Sequence, residues 1–219
     1  MGQLPKVTWF RLDLYNWEGF WYVGDHLPGA MDAKSNFQAK DDDLLLTSSV
    51  KTGTTWLKAI IPFPTIMNPK GRKDDGSDDP SLKHHPNELT PSLELGFYKV
   101  NPNPDLSHIT LTGPFHDHVL GSWRESIKRP EMIYFMRNED MKKDPKGEVK
   151  KLACFLGRPF EKEEEVEKVL WRCSLDRLKN LEVNQHGIEP WNHFTDEMKG
   201  KLDQLTAMKF EGSGLDFGY

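Results

Sequence analysis

The sequence has little cysteine and no long apolar run. Its 219 residues include only two cysteines, Cys154 and Cys173. Two cysteines cannot form the disulfide framework of a small secreted domain, and the spacings typical of zinc sites are absent. No stretch approaches the roughly 20 apolar residues that span a membrane, and the first residues lack the apolar centre of a signal peptide. We therefore expect a protein of the cytoplasm without a membrane anchor.

An excess of basic residues is also absent. Lysine and arginine total 29 against 34 aspartate and glutamate, which gives a formal net charge of -5. Nucleic-acid-binding domains usually carry a basic face, so this class of partner is not expected. Hydrophobic residues make up 37% and aromatic residues 11% of the chain. That content is enough for a buried core, and we expect one domain over residues 1–219.

The Walker-A spacing of nucleotide hydrolases is missing, but a related pattern is present. The segment "TSSVKTGTTWLKAI" (residues 47–60) has Lys51 before its only glycine, whereas Walker A has the lysine after the second glycine. An apolar run predicts a strand before it, and "TTWLKAII" predicts a helix after it, ended by Pro62. Gly53 permits a tight turn, and the neighbouring lysine and threonines are anion donors. Taken alone, the loop is either a phosphate or sulfate site or an ordinary turn with a solvated lysine.

The rest of the chain alternates predicted strands and helices, which indicates an α/β fold. The first 40 residues are predicted to be irregular, and residues 68–91 have the composition of a loop. "EMIYFM" (131–136) predicts a buried strand, whereas "DPKGEVKKLACFLG" predicts a helix with Asp144 as cap, Pro145 first and Gly157 at its end. "EKEEEVEKVLWRCSLDRLKNL" predicts one or two further helices.

Two helices carry predicted apolar faces. We expect the first within "HDHVLGSWRESI" and the second in "TDEMKGKLDQLTAMKF", with Thr195 as cap. The side chains expected to face inward are Val119, Leu120, Trp123 and Ile127 in the first helix, and Met198, Leu202, Leu205 and Met208 in the second.

A series of motifs resembles plant-type cytosolic sulfotransferases of the flavonol sulfotransferase kind. In chain order the motifs are "GFWY", "KTGTTWLKA", "HHPNELTPSLEL", "NPNPDL", "FHDHVLGSW", "RPEMIYF", "EDMKKDPKGEVKKLACFLGRPF", "NLEVNQ", "NHFT" and "FEGSGLDFG". The resemblance implies a parallel central sheet flanked by helices, with a P-loop-like strand-loop-helix. It also implies PAPS (3'-phosphoadenosine 5'-phosphosulfate) as sulfuryl donor, no metal, and a small-molecule hydroxyl of phenol, flavonoid or steroid type as acceptor. The segment "GFWY" either forms part of the wall of the acceptor pocket or only packs in the core, and the sequence favours neither role.

The resemblance assigns site residues to two segments. In the loop it implies that Lys51 faces the bridging oxygen of the leaving group, and a cation there stabilises developing charge. The loop residues of the resemblance are Lys51, Thr52, Gly53, Thr54, Thr55 and Trp56, of which Thr54 and Thr55 would bind phosphate oxygens and Trp56 would stack on adenine. The second segment, which lines the nucleotide, is Cys173, Ser174 and Leu175.

The chain departs from the family pattern at several places. The general-base histidine of the family, in a Thr-His-hydrophobic-Pro context, is missing, as are the arginine and serine for the separate phosphate. His108 lies close to the point where the family's residues are missing, but it lacks the threonine and proline neighbours, so we do not assign it the role of general base. We predict internal shortening near residues 109–113 and 187–191, and Asn138 replaces a family tyrosine.

These departures predict weak or absent sulfuryl transfer, because loss of a general base typically costs about 10²–10⁴-fold in rate. The alternative is a non-catalytic remnant that binds a nucleotide or a partner without turnover. ATP or GTP hydrolysis is disfavoured, because Walker-A spacing and a clear magnesium carboxylate are missing.

Two further features have unremarkable explanations. We expect His84 and His85 to lie in a polar loop, and His116 and His118 on a helix surface, rather than to bind metal. Cys173 is not expected to act as a nucleophile, because no base is assigned beside it. The sequence indicates no oligomeric state.

Overall fold

A computed structural model describes most of the chain. The described residues are 3–9, 12–38, 40, 43–48, 53–61, 79–90, 92, 108–111, 115–182 and 195–215. The strands are β1 (Lys6–Trp9), β2 (Leu12–Trp17), β3 (Phe20–Val23), β4 (Leu44–Thr47) and β5 (His108–Leu111). The helices are α1 (Leu27–Asn36), α2 (Thr54–Ile60), α3 (Pro86–Leu89), α4 (Phe115–Lys128), α5 (Asn138–Lys143), α6 (Pro145–Phe155), α7 (Glu163–Arg172), α8 (Leu175–Asn180) and α9 (Asp196–Phe210), with a 3-10 turn at Pro80–Leu82.

The chain forms two compact units. The first contains residues 1–54 and 87–118, and the second contains residues 55–86 and 119–219. The expectation of a single domain remains a prediction.

The N-terminal region of the first unit is regular, so the prediction of irregular structure there was wrong. β1, β2 and β3 form an antiparallel sheet in sequence order, with Lys6 opposite Tyr15 and Leu14 opposite Val23. The hairpin between β2 and β3 turns at Glu18 (φ 53°) and Gly19 (φ 86°). A two-residue turn with both φ values positive matches the twist of paired strands, and the glycine makes it accessible.

The first unit also contains a parallel strand pair. β4 pairs with β5 in parallel, with Leu44 opposite His108 and Thr47 opposite Leu111. Parallel strands need a long crossover between them, which the chain supplies here. The pair confirms the strand predicted from the apolar run before the loop and the parallel α/β class, and the two strands are the parallel sheet of the described residues.

The second unit packs α2 and the helices α5 to α8 around one apolar core. Its buried side chains are Ala59, Ile60, Met141, Val149, Leu152, Val166, Val169, Cys173 and Leu178. α6 begins as predicted, because the Asp144 carboxylate accepts a hydrogen bond from the Gly147 N–H at 2.9 Å and Pro145 occupies the first turn. Gly157, with φ 68°, follows its end. The acidic stretch after it forms two helices, α7 and α8.

Three predictions in this unit were wrong. Residues 131–136 form a turn followed by residues without regular secondary structure, rather than a strand, although Tyr134, Phe135 and Met136 pack against apolar clusters. Ile127 is exposed, and the predicted inner face of α9 also points to solvent. Its exposed side chains are Met198, Leu202, Leu205 and Met208.

The other three predictions for α4 hold, because Leu120 is buried and Val119 and Trp123 pack against the same cluster. That second small cluster consists of Leu120, Phe210 of α9 and Leu215. Thr195 caps α9 as predicted, because its hydroxyl accepts a hydrogen bond from the Met198 N–H at 3.2 Å. In the predicted loop of residues 68–91, the described part contains the 3-10 turn and α3, and residues 62–78 lie outside the described residues.

Candidate active site

The turn between β4 and α2 is described from Gly53 onward. Gly53 has φ 96°, a left-handed conformation that a side chain strongly disfavours. The hydroxyl groups of Ser48 and Thr54 lie 2.7 Å apart and share a hydrogen bond. The two ends of the turn are therefore joined by a direct contact. Lys51 and Thr52 lie outside the described residues, and Thr55 is exposed.

In the second unit, Trp56 connects the two predicted nucleotide segments. Its indole N–H donates a hydrogen bond to the Cys173 carbonyl at 2.8 Å, across 117 residues of sequence. Its ring also packs against the main core. The structure thus brings together Trp56 and Cys173, which the resemblance assigns to the same ligand.

The segment from Cys173 to Leu175 forms the turn between α7 and α8. Cys173 is fully buried, and burial raises the pKa of its thiol well above the usual value, with the Asp79 carboxylate adding to the effect. A thiol held in its neutral form is a poor nucleophile, as expected from the sequence. Ser174 caps α8 through a hydrogen bond from the Arg177 N–H at 3.3 Å, and Leu175 is 76% exposed.

A buried ion pair beside this turn was not predicted from the sequence. Arg177 Nη2 lies 2.6 Å from Asp79 Oδ2, with 12% and 2% of the two side chains exposed. The Asp79 Oδ1 atom accepts hydrogen bonds from the Ser81 N–H at 2.9 Å and the Ser81 hydroxyl at 2.7 Å. Arg177 Nη1 donates to the Ser81 hydroxyl at 3.0 Å and to the Arg172 carbonyl at 2.9 Å. The polar groups of this pair therefore satisfy one another, as buried charges require.

No sequence signal marks this pair. Asp79 and Ser81 lie in a stretch with loop composition, and Arg177 is one of several charged residues on a short helix. The two partners are 98 residues apart in the chain. The guanidinium also lies over the ring of Trp171, 5.0 Å from its centroid.

Three other sequence candidates lie on helices. Asn138 begins α5, and His116 and His118 lie on α4, where burial lowers the pKa of His118. Within the described residues, no group of three or more His, Cys, Asp or Glu side chains is arranged to hold a metal ion. Among the helices of that same part of the chain, none has both the length and the apolar character to cross a membrane.

Comparison with known proteins identifies the family. The family model described as "Sulfotransferase domain" matches residues 102–214. Cytosolic sulfotransferase 10 of Arabidopsis thaliana is 30% identical, covering 99% of this chain and 93% of the relative. Flavonol 4'-sulfotransferase of Flaveria chlorifolia is also 30% identical, covering 94% of this chain and 90% of the relative.

Solved structures share the fold. A putative steroid sulphotransferase of Arabidopsis thaliana superposes with a TM-score of 0.72 at 24% identity, covering 99% of this chain and 93% of that one. A retinol dehydratase, solved with androsterone and the inactive cofactor PAP, has a TM-score of 0.65 at 12% identity, with the same coverage. These similarities confirm the α/β fold with its P-loop-like element.

The alignment lengths show that this chain is shorter than its relatives. The alignment with cytosolic sulfotransferase 10 runs over 311 residues, and this chain has 219. At least 92 aligned positions (311 − 219) are therefore present in the relative and absent here. Despite this shortening, the similarity extends over nearly the whole sequence, and the chain belongs to the sulfotransferase family.

Proposed function

We propose that this protein binds PAPS and its desulfated product PAP, and transfers the sulfuryl group to a small-molecule hydroxyl weakly or not at all. One observation carries the binding half of the proposal: the hydrogen bond between the Trp56 indole and the Cys173 carbonyl. It joins the helix after the phosphosulfate loop to the second nucleotide segment. The donor is supported by the family and by the PAP-bound retinol dehydratase of the same fold.

The residues present fit one part of such a donor. The left-handed Gly53 permits a tight approach of the backbone, and Thr54 and Thr55 place hydroxyl groups at the start of α2. Trp56 offers an aromatic ring whose N–H is already held by protein. We propose that Thr52, Thr54 and Thr55 contact phosphate oxygens, that Trp56 stacks on adenine, and that Cys173, Ser174 and Leu175 line the base.

Lys51 is the proposed catalytic residue. When bound, PAPS supplies the activated sulfuryl group, and negative charge grows on the oxygen that links it to the nucleotide. An ammonium group directed at that oxygen stabilises the departing charge. Lys51 precedes Gly53 in the loop, which is the position that the family uses for this purpose.

The second half of the proposal, weak or absent turnover, follows from what the sequence lacks. No histidine occurs in the context of the family's general base, and its absence costs about 10²–10⁴-fold in rate. The arginine that holds the separate phosphate is also missing, and a charged hydrogen bond of this kind contributes about 1.5–3 kcal/mol. The 92 or more absent positions support both losses. We place them near residues 109–113 and 187–191.

The names of the relatives support a proposed acceptor class. One relative is named for a flavonol and one structural neighbour for a steroid, so we propose a phenol, flavonoid or steroid hydroxyl. Relatives named cytosolic sulfotransferases support a cytoplasmic location. Neither nucleic acid nor a membrane is proposed as a partner.

A non-catalytic nucleotide-binding protein is the second candidate function. The same shortening favours it, because loss of the base and of one phosphate contact removes turnover before it removes all binding. This second candidate is the limiting case of the first, in which sulfuryl transfer is absent altogether.

The test combines binding and turnover. Calorimetry measures PAP binding, and labelled PAPS with a panel of phenols, flavonols and steroids measures transfer. Lys51→Ala is compared with Lys40→Ala, a matched control because Lys40 is an exposed lysine of the same unit. We expect PAP binding that Lys51→Ala weakens and Lys40→Ala leaves unchanged, with little or no transfer.

The outcomes are distinct. Transfer at the rate of an ordinary family member, abolished by Lys51→Ala, would refute the prediction of weak turnover and support the enzyme. Absence of PAP binding in the unaltered, folded chain would refute the nucleotide site itself.

A further inference from the structure

The buried Asp79–Arg177 ion pair lies next to the proposed nucleotide segment but has no assigned part in it. Burying two charges costs desolvation energy that their attraction only partly recovers, so such a pair is weak evidence for stability alone. What it can supply is a fixed geometry, because both side chains are held by several directed hydrogen bonds.

The Arg177 side chain holds the turn before α8 at the residue preceding Cys173. Its Nη1 atom donates to the Arg172 carbonyl at 2.9 Å, one residue before Cys173. The cap of α8, in which the backbone N–H of residue 177 donates to the Ser174 hydroxyl at 3.3 Å, does not depend on the side chain and remains in each variant. The planar guanidinium fixes direction as well as distance.

Cys173 in turn holds Trp56. Its carbonyl accepts the indole N–H at 2.8 Å, so a shift of residues 172–174 would move or release the aromatic ring. The contacts form a continuous series from Asp79 through Arg177 and the turn to Trp56. The whole series lies within the second compact unit.

We propose that Asp79 and Arg177 are positioning residues of the nucleotide site, which fix the Arg172–Ser174 turn and thereby the Trp56 ring. The proposal rests on the proposed function, because it assumes that Trp56 and the turn bind the nucleotide. Asp79 and Arg177 act through the turn and do not themselves contact the ligand.

A purely structural role predicts a different result. If the pair only stabilised the fold, its loss would lower the unfolding temperature but leave nucleotide affinity unchanged well below that temperature. Positioning predicts weaker affinity in protein that is still folded, because binding must then order the turn. Ordering one or two side chains corresponds to about a tenfold loss of affinity.

The test uses the full chain and four variants. Arg177→Met removes both the positive charge and the two terminal N–H groups of the guanidinium that donate hydrogen bonds. Asp79→Asn removes the carboxylate charge that pairs with Arg177 but retains an oxygen that can accept from Ser81. Arg177→Lys retains the positive charge but has a single amino group, which cannot reproduce the planar arrangement of guanidinium donors. Lys146→Met is the matched control, because it breaks the exposed Lys146–Glu167 pair (2.6 Å) of the same unit.

Two quantities are measured at least about 15 °C below each variant's unfolding midpoint. Calorimetry gives the Kd for PAP, and nuclear magnetic resonance gives the hydrogen-exchange rate of the Trp56 indole N–H. We expect about tenfold weaker PAP binding and faster indole exchange in Arg177→Met and Asp79→Asn, an intermediate effect in Arg177→Lys, and no change in Lys146→Met.

Each result decides between the hypotheses. Unchanged PAP affinity and indole exchange in a folded Arg177→Met or Asp79→Asn variant would overturn the positioning role and leave the proposed function intact. An unaltered chain that does not bind PAP would overturn the proposed function and the positioning role with it. Faster indole exchange together with weaker PAP binding would support both the positioning role and the proposed function.

Discussion

The hydrogen bond between Trp56 and Cys173 makes a quantitative prediction for Trp56→Phe. Phenylalanine keeps an aromatic ring against the core but has no N–H, so the Cys173 carbonyl loses its 2.8 Å donor. Leaving a buried acceptor without its donor costs about 1–3 kcal/mol of folding free energy. For a chain of this size each kcal/mol lowers the unfolding midpoint by about 2–4 °C, so we expect a decrease of about 2–12 °C.

A second tryptophan supplies the matched control. The indole N–H of Trp123 donates to the Ser213 carbonyl at 3.0 Å, against the other apolar cluster of the same unit. Trp123→Phe should therefore lose stability to a similar extent. Only Trp56→Phe should also change the affinity for PAP, because only Trp56 contacts the proposed nucleotide segment.

The assay is thermal and urea denaturation followed by circular dichroism, together with PAP calorimetry on each folded variant. Trp56→Phe with unchanged unfolding free energy would refute the energetic contribution of the hydrogen bond. Equal loss of PAP affinity in both variants would show that the effect is general loosening and not local to the site.

Two further predictions concern cysteine reactivity and pH. Cys154 is exposed, whereas Cys173 is buried and its thiol pKa is raised. A brief treatment with iodoacetamide should therefore alkylate only Cys154 in the native protein and both cysteines after denaturation, as measured by mass spectrometry. Modification of Cys173 in the native protein would contradict the packing. Arg137 lowers the pKa of Asp140 through its hydrogen bonds, at 2.6 Å and 2.7 Å. Because the folded pKa is depressed, this contribution is present above the unfolded pKa of about 3.9 and is lost as the pH falls through the folded value. Asp140→Asn should therefore remove about 0.2–1 kcal/mol near pH 7 and little at pH 2, measured by denaturation at both pH values; equal effects at both would exclude the charge interaction.

The sequence predicted best where local signals decide structure. The helix from Pro145 to Phe155 carries its cap, its first-turn proline and its terminal glycine within a few residues, and all three act as predicted. Strand β4 and the start of α2 were likewise recognised from a short apolar run and a glycine turn. The N-terminal hairpin was missed because its aromatic residues obscured the alternation, although Gly19 marks the turn.

Long-range packing was harder to predict. An apolar face indicates burial only if another element covers it, and the stripe from Met198 to Met208 is exposed in this fold. Residues 131–136 have strand composition but no strand pairing within the described residues. The Asp79–Arg177 pair joins residues that are 98 positions apart, and no sequence pattern around either residue indicates which residue it pairs with.

The separation between Trp56 and Cys173 also has a consequence during synthesis. A ribosome adds about 5–20 residues per second, so the partner of Trp56 is made about 6–23 s after Trp56 itself. The core residues that pack with Ala59 and Ile60, from Met141 to Leu178, are likewise synthesised much later than these two residues. During that interval these apolar side chains have no native surface to pack against, and the nascent chain is open to chaperones and to aggregation. The second unit therefore folds late, when most of the chain has already been translated.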